Sequence, residues 1–161
     1  MLNGGNREAK KQFIFMNKNL FFMLLGTILL FSSCGSSKMP TSFVKTSGGE
    51  WSAILIRDDL TYDKAFNEVV DVVAKRFEMD MISKDGGYGR SQWSYTWNDT
   101  GKYLDFYRTR VIFKFSSDRT KVDVKTEAEF LTKNGWIQGF DNKLLETIKR
   151  DVMGVVSRTT L

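Results

Sequence analysis

YLDFYRTRVIFKF, residues 103–115, and KVDVKTEAEFL, residues 121–131, are the two segments on which the fold turns. In the first, Tyr107, Thr109, Val111, Phe113 and Phe115 alternate with a set that includes Arg108, Arg110 and Lys114. In the second, Val122, Val124, Thr126, Ala128 and Phe130 alternate with Lys121, Asp123, Lys125, Glu127 and Glu129. A period of two with one apolar set predicts half-buried strands. Joining them by a tight turn at Asp118-Arg119 with the apolar faces together sets Phe113 opposite Val124. The same register sets Lys114 opposite Asp123, Arg110 opposite Glu127 and Arg108 opposite Glu129. Each such opposite-charge pair contributes about 0.2–1 kcal/mol. A slip of one residue would turn the charges into the core, so this register is predicted.

Working outward, Arg90 to Asn98 reads as a third strand, with Trp93, Tyr95 and Trp97 alternating against Gln92, Ser94 and Thr96. Asn98 to Lys102, with Gly101, closes a hairpin. Met79 to Lys84 reads as a short strand before an Asp85-Gly86-Gly87 turn. From Tyr62 to about Glu78, Phe66, Val69, Val70, Val73 and Phe77 lie on one helical face, after Asp58, Asp59 and Thr61 as candidate caps and first-turn acids. Trp51 to Arg57 is the first strand candidate. Downstream, Lys133 to Phe140 reads as a loop with two glycines around Trp136. Asp141 then caps a helix to about Ser157, with Leu144, Leu145, Ile148, Val152, Val155 and Val156 as its stripe. The order β-α-β-β-β-β-α predicts an α+β, two-layer sandwich, its mostly antiparallel sheet carrying both helices on one face. The opposite face, with Arg108, Arg110, Lys114, Asp123, Glu127 and Glu129, is expected to meet water.

Ahead of this domain lies MNKNLFFMLLGTILLFSSC, residues 16–34. A basic start at Lys18, a short apolar core and small residues at its end define an export signal. The run is too short to span a bilayer, which takes roughly 20 apolar residues. Residues 1–15 carry Arg7, Glu8, Lys10 and Lys11 and do not suit a signal, so Met16 is the expected start. Leu30-Phe31-Ser32-Ser33-Cys34-Gly35 resembles the lipobox of bacterial, Bacteroidetes-like lipoproteins, with Phe31 where leucine is commonest. The resemblance implies that residues 1–33 are removed and that Cys34 carries lipid. Several acyl chains hold a protein firmly on a membrane surface, each buried methylene contributing about 0.8 kcal/mol. Residues 34–50, rich in Ser, Gly, Thr and Lys, then read as a flexible tether, and residues 51–161 as one domain. No acidic cluster follows Cys34, and the resemblance accordingly implies the periplasmic face of the outer membrane.

Composition narrows the chemistry. Cleavage before Cys34 removes 33 of 161 residues and leaves 128, enough for one modest core. It also removes four basic residues (Arg7, Lys10, Lys11, Lys18) and one acid (Glu8), taking 24 and 19 to 20 and 18 and the net charge from +5 to +2. The basic pI is therefore weak support for nucleic acid. Cys34 is the one cysteine, so no internal disulfide forms. There is no histidine, which removes histidine bases, Ser-His-Asp and Cys-His arrangements and histidine-ligated metals.

The remaining motifs are bland. Gly86-Gly87-Tyr88-Gly89 precedes a strand, whereas a phosphate cradle leads into a helix. Ser42-Phe43-Val44-Lys45 matches a Ser-x-x-Lys pattern without its companion elements. Asn98-Asp99-Thr100 fits a sequon that a turn explains. Trp93, Tyr95 and Trp97 form either an exposed platform for a sugar or peptide or, as the preferred reading, core beneath a helix that Tyr107, Phe113 and Phe130 extend. The helix 62–78, the turn 85–87 and the strand through Trp93 and Trp97 loosely resemble the helix-grip domains of envelope lipoproteins of BamC type. The expectation is a non-enzymatic interaction or assembly module without cofactor, metal or nucleic acid, with another envelope protein as partner and its oligomeric state open. The alternative is a glycan- or peptide-binding lipoprotein using the aromatic strand. A carboxylate hydrolase would need two acids within about 5–10 Å in a pocket. Trp93, Tyr95, Trp97, Arg108, Arg110 and Glu127 are the candidate surface.

Overall fold

The computed structural model describes residues 38–97 and 101–157. The leader Met16–Cys34 with its cysteine, the choice between Met1 and Met16 as start, and the hairpin residues Asn98, Asp99 and Thr100 lie outside the described residues. The compact unit starts at Met39. In chain order it contains β1 (Phe43–Lys45), β2 (Ser52–Leu55), α1 (Tyr62–Ala74), β3 (Met79–Ser83), β4 (Tyr88–Ser91), β5 (Ser94–Trp97), β6 (Tyr103–Phe115), β7 (Lys121–Thr132), β8 (Gly135–Asp141) and α2 (Asn142–Val156). The protein is α+β. Its antiparallel sheet runs β1-β8-β7-β6-β4-β3, with β2 on the free stretch of β7 and β5 on the free stretch of β6.

The β6–β7 register is the predicted one. Phe113 faces Val124, Lys114 faces Asp123, Arg110 faces Glu127 and Arg108 faces Glu129. Their inward sets are buried, and both helices pack on that side. Phe66, Val69 and Val73 of α1 and Leu145, Ile148 and Val152 of α2 join Val111, Phe113, Val122 and Val124 in one core. Helix α1 stops at Ala74, short of the expected Glu78, and Phe77 packs against the core from beyond its end. A second core cluster, Phe43, Leu104, Tyr107, Ala128 and Phe130, fills the β6–β7–β8 end of the sheet.

Helix α2 is anchored as its sequence predicts. Asp141 is the N-cap, and its Oδ1 accepts the Leu144 amide at 2.8 Å. Its Oδ2 accepts Tyr107 Oη at 2.6 Å and Ser42 Oγ at 2.8 Å. The carboxylate is thus buried but fully hydrogen-bonded, the condition under which burial of a polar group is tolerated. Burial pushes the Tyr107 phenol well above its ordinary value, and the Asp141 hydrogen bond and charge add to this.

Three expectations are corrected. Residues 34–50 are not flexible tether throughout, because β1 pairs with β8, Phe43 opposite Asp141 and Lys45 opposite Gly139. The cause is Phe43, which is buried against Tyr107 and Phe130. Gly139 permits that approach, since a Cβ there would meet the Phe43 ring and the Val44 carbonyl. Residues 133–140 are not a loop. Gly135, at φ +107°, turns the chain back, and β8 pairs with β7, Ile137 opposite Phe130 and Trp136 opposite Leu131.

The third correction concerns the aromatic strand. It breaks at Gln92-Trp93 into β4 and β5. Ser91 Oγ accepts the Val111 amide at 3.0 Å, and Ser94, not Trp93, faces Thr109. One residue too many between Ser91 and Ser94 is a bulge, and it reverses the side-chain parity. Trp93, Tyr95 and Trp97 therefore lie on the face away from the helices, and the core reading of these residues is wrong.

Candidate functional site

The open face of the sheet carries the most organised polar chemistry in the described residues. Alternation along β6 and β7 points Arg108, Arg110, Lys125, Glu127 and Glu129 outward. Arg108 Nε donates to Glu129 at 2.8 Å, and Arg110 Nε donates to Glu127 at 2.7 Å. Lys125 Nζ donates to the other oxygen of Glu127 at 2.7 Å. Lys114 faces Asp123 in the register, while Asp123 lies 3.5 Å from Lys121 Nζ.

Tryptophans cover this ladder. The Trp93 ring lies under both guanidinium groups, 4.4 Å from Arg110 and 5.0 Å from Arg108. Trp136 stacks on Arg108 at 4.5 Å, and Trp51 meets Lys125 Nζ at 5.0 Å. A cation over a ring face adds about 0.5–1 kcal/mol at an exposed site and about 2 kcal/mol when desolvated. The charges are consequently half-buried, where open solvation was expected. Burial pushes the Glu127 carboxyl up. Hydrogen bonds from Lys125 and Arg110, with their charges, outweigh it and hold the group below its ordinary range. For Arg108, burial works against the charge, and the Glu129 and Tyr95 contacts outweigh it to raise the pKa.

Beside the ladder is a hollow of about 200 Å³, walled by residues 46–49, Trp93, Arg110, Glu127 and Gln138. The wall exists because the chain leaving β1 must reach β2 where β8 ends, and Gly49 comes against the Thr126 carbonyl. Acceptors, donors and an aromatic face line one small depression, which suits recognition of a polar group. Among the described residues, no three of His, Cys, Asp and Glu gather as a metal-holding group.

Of the sequence candidates, Trp93, Arg108, Arg110 and Glu127 come together in the ladder. Tyr95 lies opposite Arg108 at its edge. Trp97 is not at the hollow but at the end of β5, against Tyr103 at 5.2 Å. Cys34 is outside the described residues. Ser42 serves Asp141, and Lys45 belongs to β1, so the Ser-x-x-Lys pattern forms no site. The sequence reading missed Trp51, Trp136 and Gln138. Reading 135–141 as a strand paired with β7 would have put Trp136 and Gln138 on the open face. No helix among the described residues is long and apolar enough to cross a membrane. No family model matches the chain, and no curated protein is significantly similar to it.

Proposed function

We propose that this protein is a non-enzymatic lipoprotein of the bacterial envelope, held by lipid on Cys34 at the periplasmic face of the outer membrane, with its open sheet face as an interaction surface. The observation that carries the reading is the tryptophan-covered arginine–carboxylate ladder. An ordinary surface ion pair contributes little, and here three tryptophans order five charged side chains on the sheet face opposite α1 and α2. Aromatic and arginine side chains are enriched where proteins bind one another. Two helices on one sheet face support the helix-grip reading of the architecture.

The test is photocrosslinking in intact cells from position 138, beside the hollow, with position 153 on exposed α2 as control. A discrete protein adduct from 138 and none from 153 is expected. Equal labelling, or none from either position, contradicts the interaction surface. The hollow beside Trp93 favours a second reading, a glycan or peptide ligand. Binding to a glycan array that Trp93→Ala abolishes would select it.

A further inference from the structure

The hollow beside Trp93 has more hydrogen-bonding capacity than the protein itself uses. Among the described residues, the Ser47 hydroxyl and the Gln138 side-chain amide make no hydrogen bond, and both residues line the hollow and are exposed. Thr46 Oγ1 accepts the Gly48 amide at a long 3.4 Å, which leaves its own proton to donate. Glu129 receives Arg108 on one carboxylate oxygen only, and Arg110 gives Nε and one terminal nitrogen to Glu127. The second Glu129 oxygen and the second Arg110 terminal nitrogen are thus unspent. Donors and acceptors are mixed along one small wall.

The charges, by contrast, are spent. Arg110 and Lys125 hold Glu127, and Arg108 holds Glu129. An ionic ligand finds no unmatched opposite charge there. A peptide strand adds to a sheet through the unpaired main-chain groups of an edge. On the floor of the hollow β7 and β8 pair with each other, Ala128 opposite Gly139 and Glu129 opposite Gln138. An apolar side chain finds no apolar pocket, because Trp93 is the one large apolar side chain in the lining. At about 200 Å³ the hollow is also smaller than a site for a drug-sized ligand, which takes roughly 300–1,000 Å³. It has room for a single ring-sized unit. The ligand that suits it is neutral and hydroxylated, since each hydroxyl both donates and accepts, with a C–H face to lie against an aromatic side chain.

We propose that the hollow binds one neutral sugar unit of a glycan, with Ser47, Gln138 and Glu129 reading its hydroxyls and Trp93 backing its ring. The proposal rests on the reading of the open face as a recognition surface, and it selects saccharide over peptide for the hollow.

The test uses the full chain, purified from envelopes in a detergent without a sugar headgroup. Saturation-transfer NMR is run with glucose, galactose, mannose and N-acetylglucosamine, and with glucuronic acid and glucosamine as charged counterparts. The expected result is saturation of at least one neutral sugar at millimolar concentration. Its Kd rises about tenfold in Gln138→Ala and in Ser47→Ala, the loss of one hydrogen bond each. Met153→Ala, on exposed α2, leaves the Kd unchanged. Neither Gln138 nor Ser47 uses its side chain within the protein, so both variants keep the wild-type melting temperature. Saturation of none of the neutral sugars overturns the saccharide site. The interaction surface then stands if photocrosslinking from position 138 still yields a protein adduct, and falls as well if it does not. Neutral-sugar binding that is unchanged in both variants overturns the placement in the hollow. Tighter binding of glucuronic acid or glucosamine than of any neutral sugar overturns the neutral ligand.

Discussion

Asp141 does three things at once: it caps α2, satisfies the buried Tyr107 hydroxyl and holds Ser42 ahead of β1. Replacing it with alanine removes the cap and orphans two hydroxyls, so Asp141→Ala is expected to destabilise by about 3 kcal/mol in urea unfolding. A loss no larger than an ordinary cap gives would show that the network is dispensable. The raised Tyr107 phenol has a signed consequence. Its stabilisation is fully present below the unfolded tyrosine pKa of about 10 and is lost as pH rises beyond it. Tyr107→Phe should therefore flatten the alkaline fall in melting temperature. Glu127 acts in the opposite direction. Its depressed carboxyl stabilises above the ordinary glutamate value of about 4.3 and loses this as pH falls. Glu127→Gln should lessen the acid sensitivity of the melting temperature, and an unchanged profile would contradict the ladder. At this scale the sequence was half legible. Asp141 could be read as a cap because caps are local, whereas its bond to Ser42 spans 99 residues and left no local trace.

Among the elements, β6 and β7 were legible to the residue, since two long alternating strands admit one register that buries no charge. The small elements were not. Strand β1 is three residues long and sits in a polar, glycine-rich stretch; its place depends on Phe43 finding Tyr107 and Phe130. Strand β8 carries two glycines, which mark a turn at Gly135 and a close crossing at Gly139. The β4–β5 bulge moved three aromatics to the open face through a single extra residue, and no periodicity reveals an insertion of one. These corrections lead to a prediction. Gly139→Ala should clash with Phe43 and the Val44 carbonyl, cost about 1–3 kcal/mol, and raise hydrogen exchange at β1 and the facing edge of β8. Protection unchanged at the Thr46 amide, which donates to the Gln138 carbonyl at 3.4 Å, would refute this role for Gly139.

For the molecule as a whole, the two sheet faces divide the work. One face holds the helices and the core, and the other presents charges ordered by tryptophans. The sandwich itself was legible because the alternation of β6 and β7 and the apolar stripes of α1 and α2 agree on one buried face; the character of the open face was not, since it arises from rings contributed by three distant segments around Trp51, Trp93 and Trp136. The membrane reading depends on a different part of the chain, and its physical content is covalent: acyl chains on one sulfur, five residue steps from the fold. Mass spectrometry of the mature N-terminal peptide from isolated envelopes reads that directly. The account predicts a chain beginning at Cys34 whose mass includes a diacylglyceryl group. A bare thiol at Cys34, or residues 16–33 still attached, would contradict it.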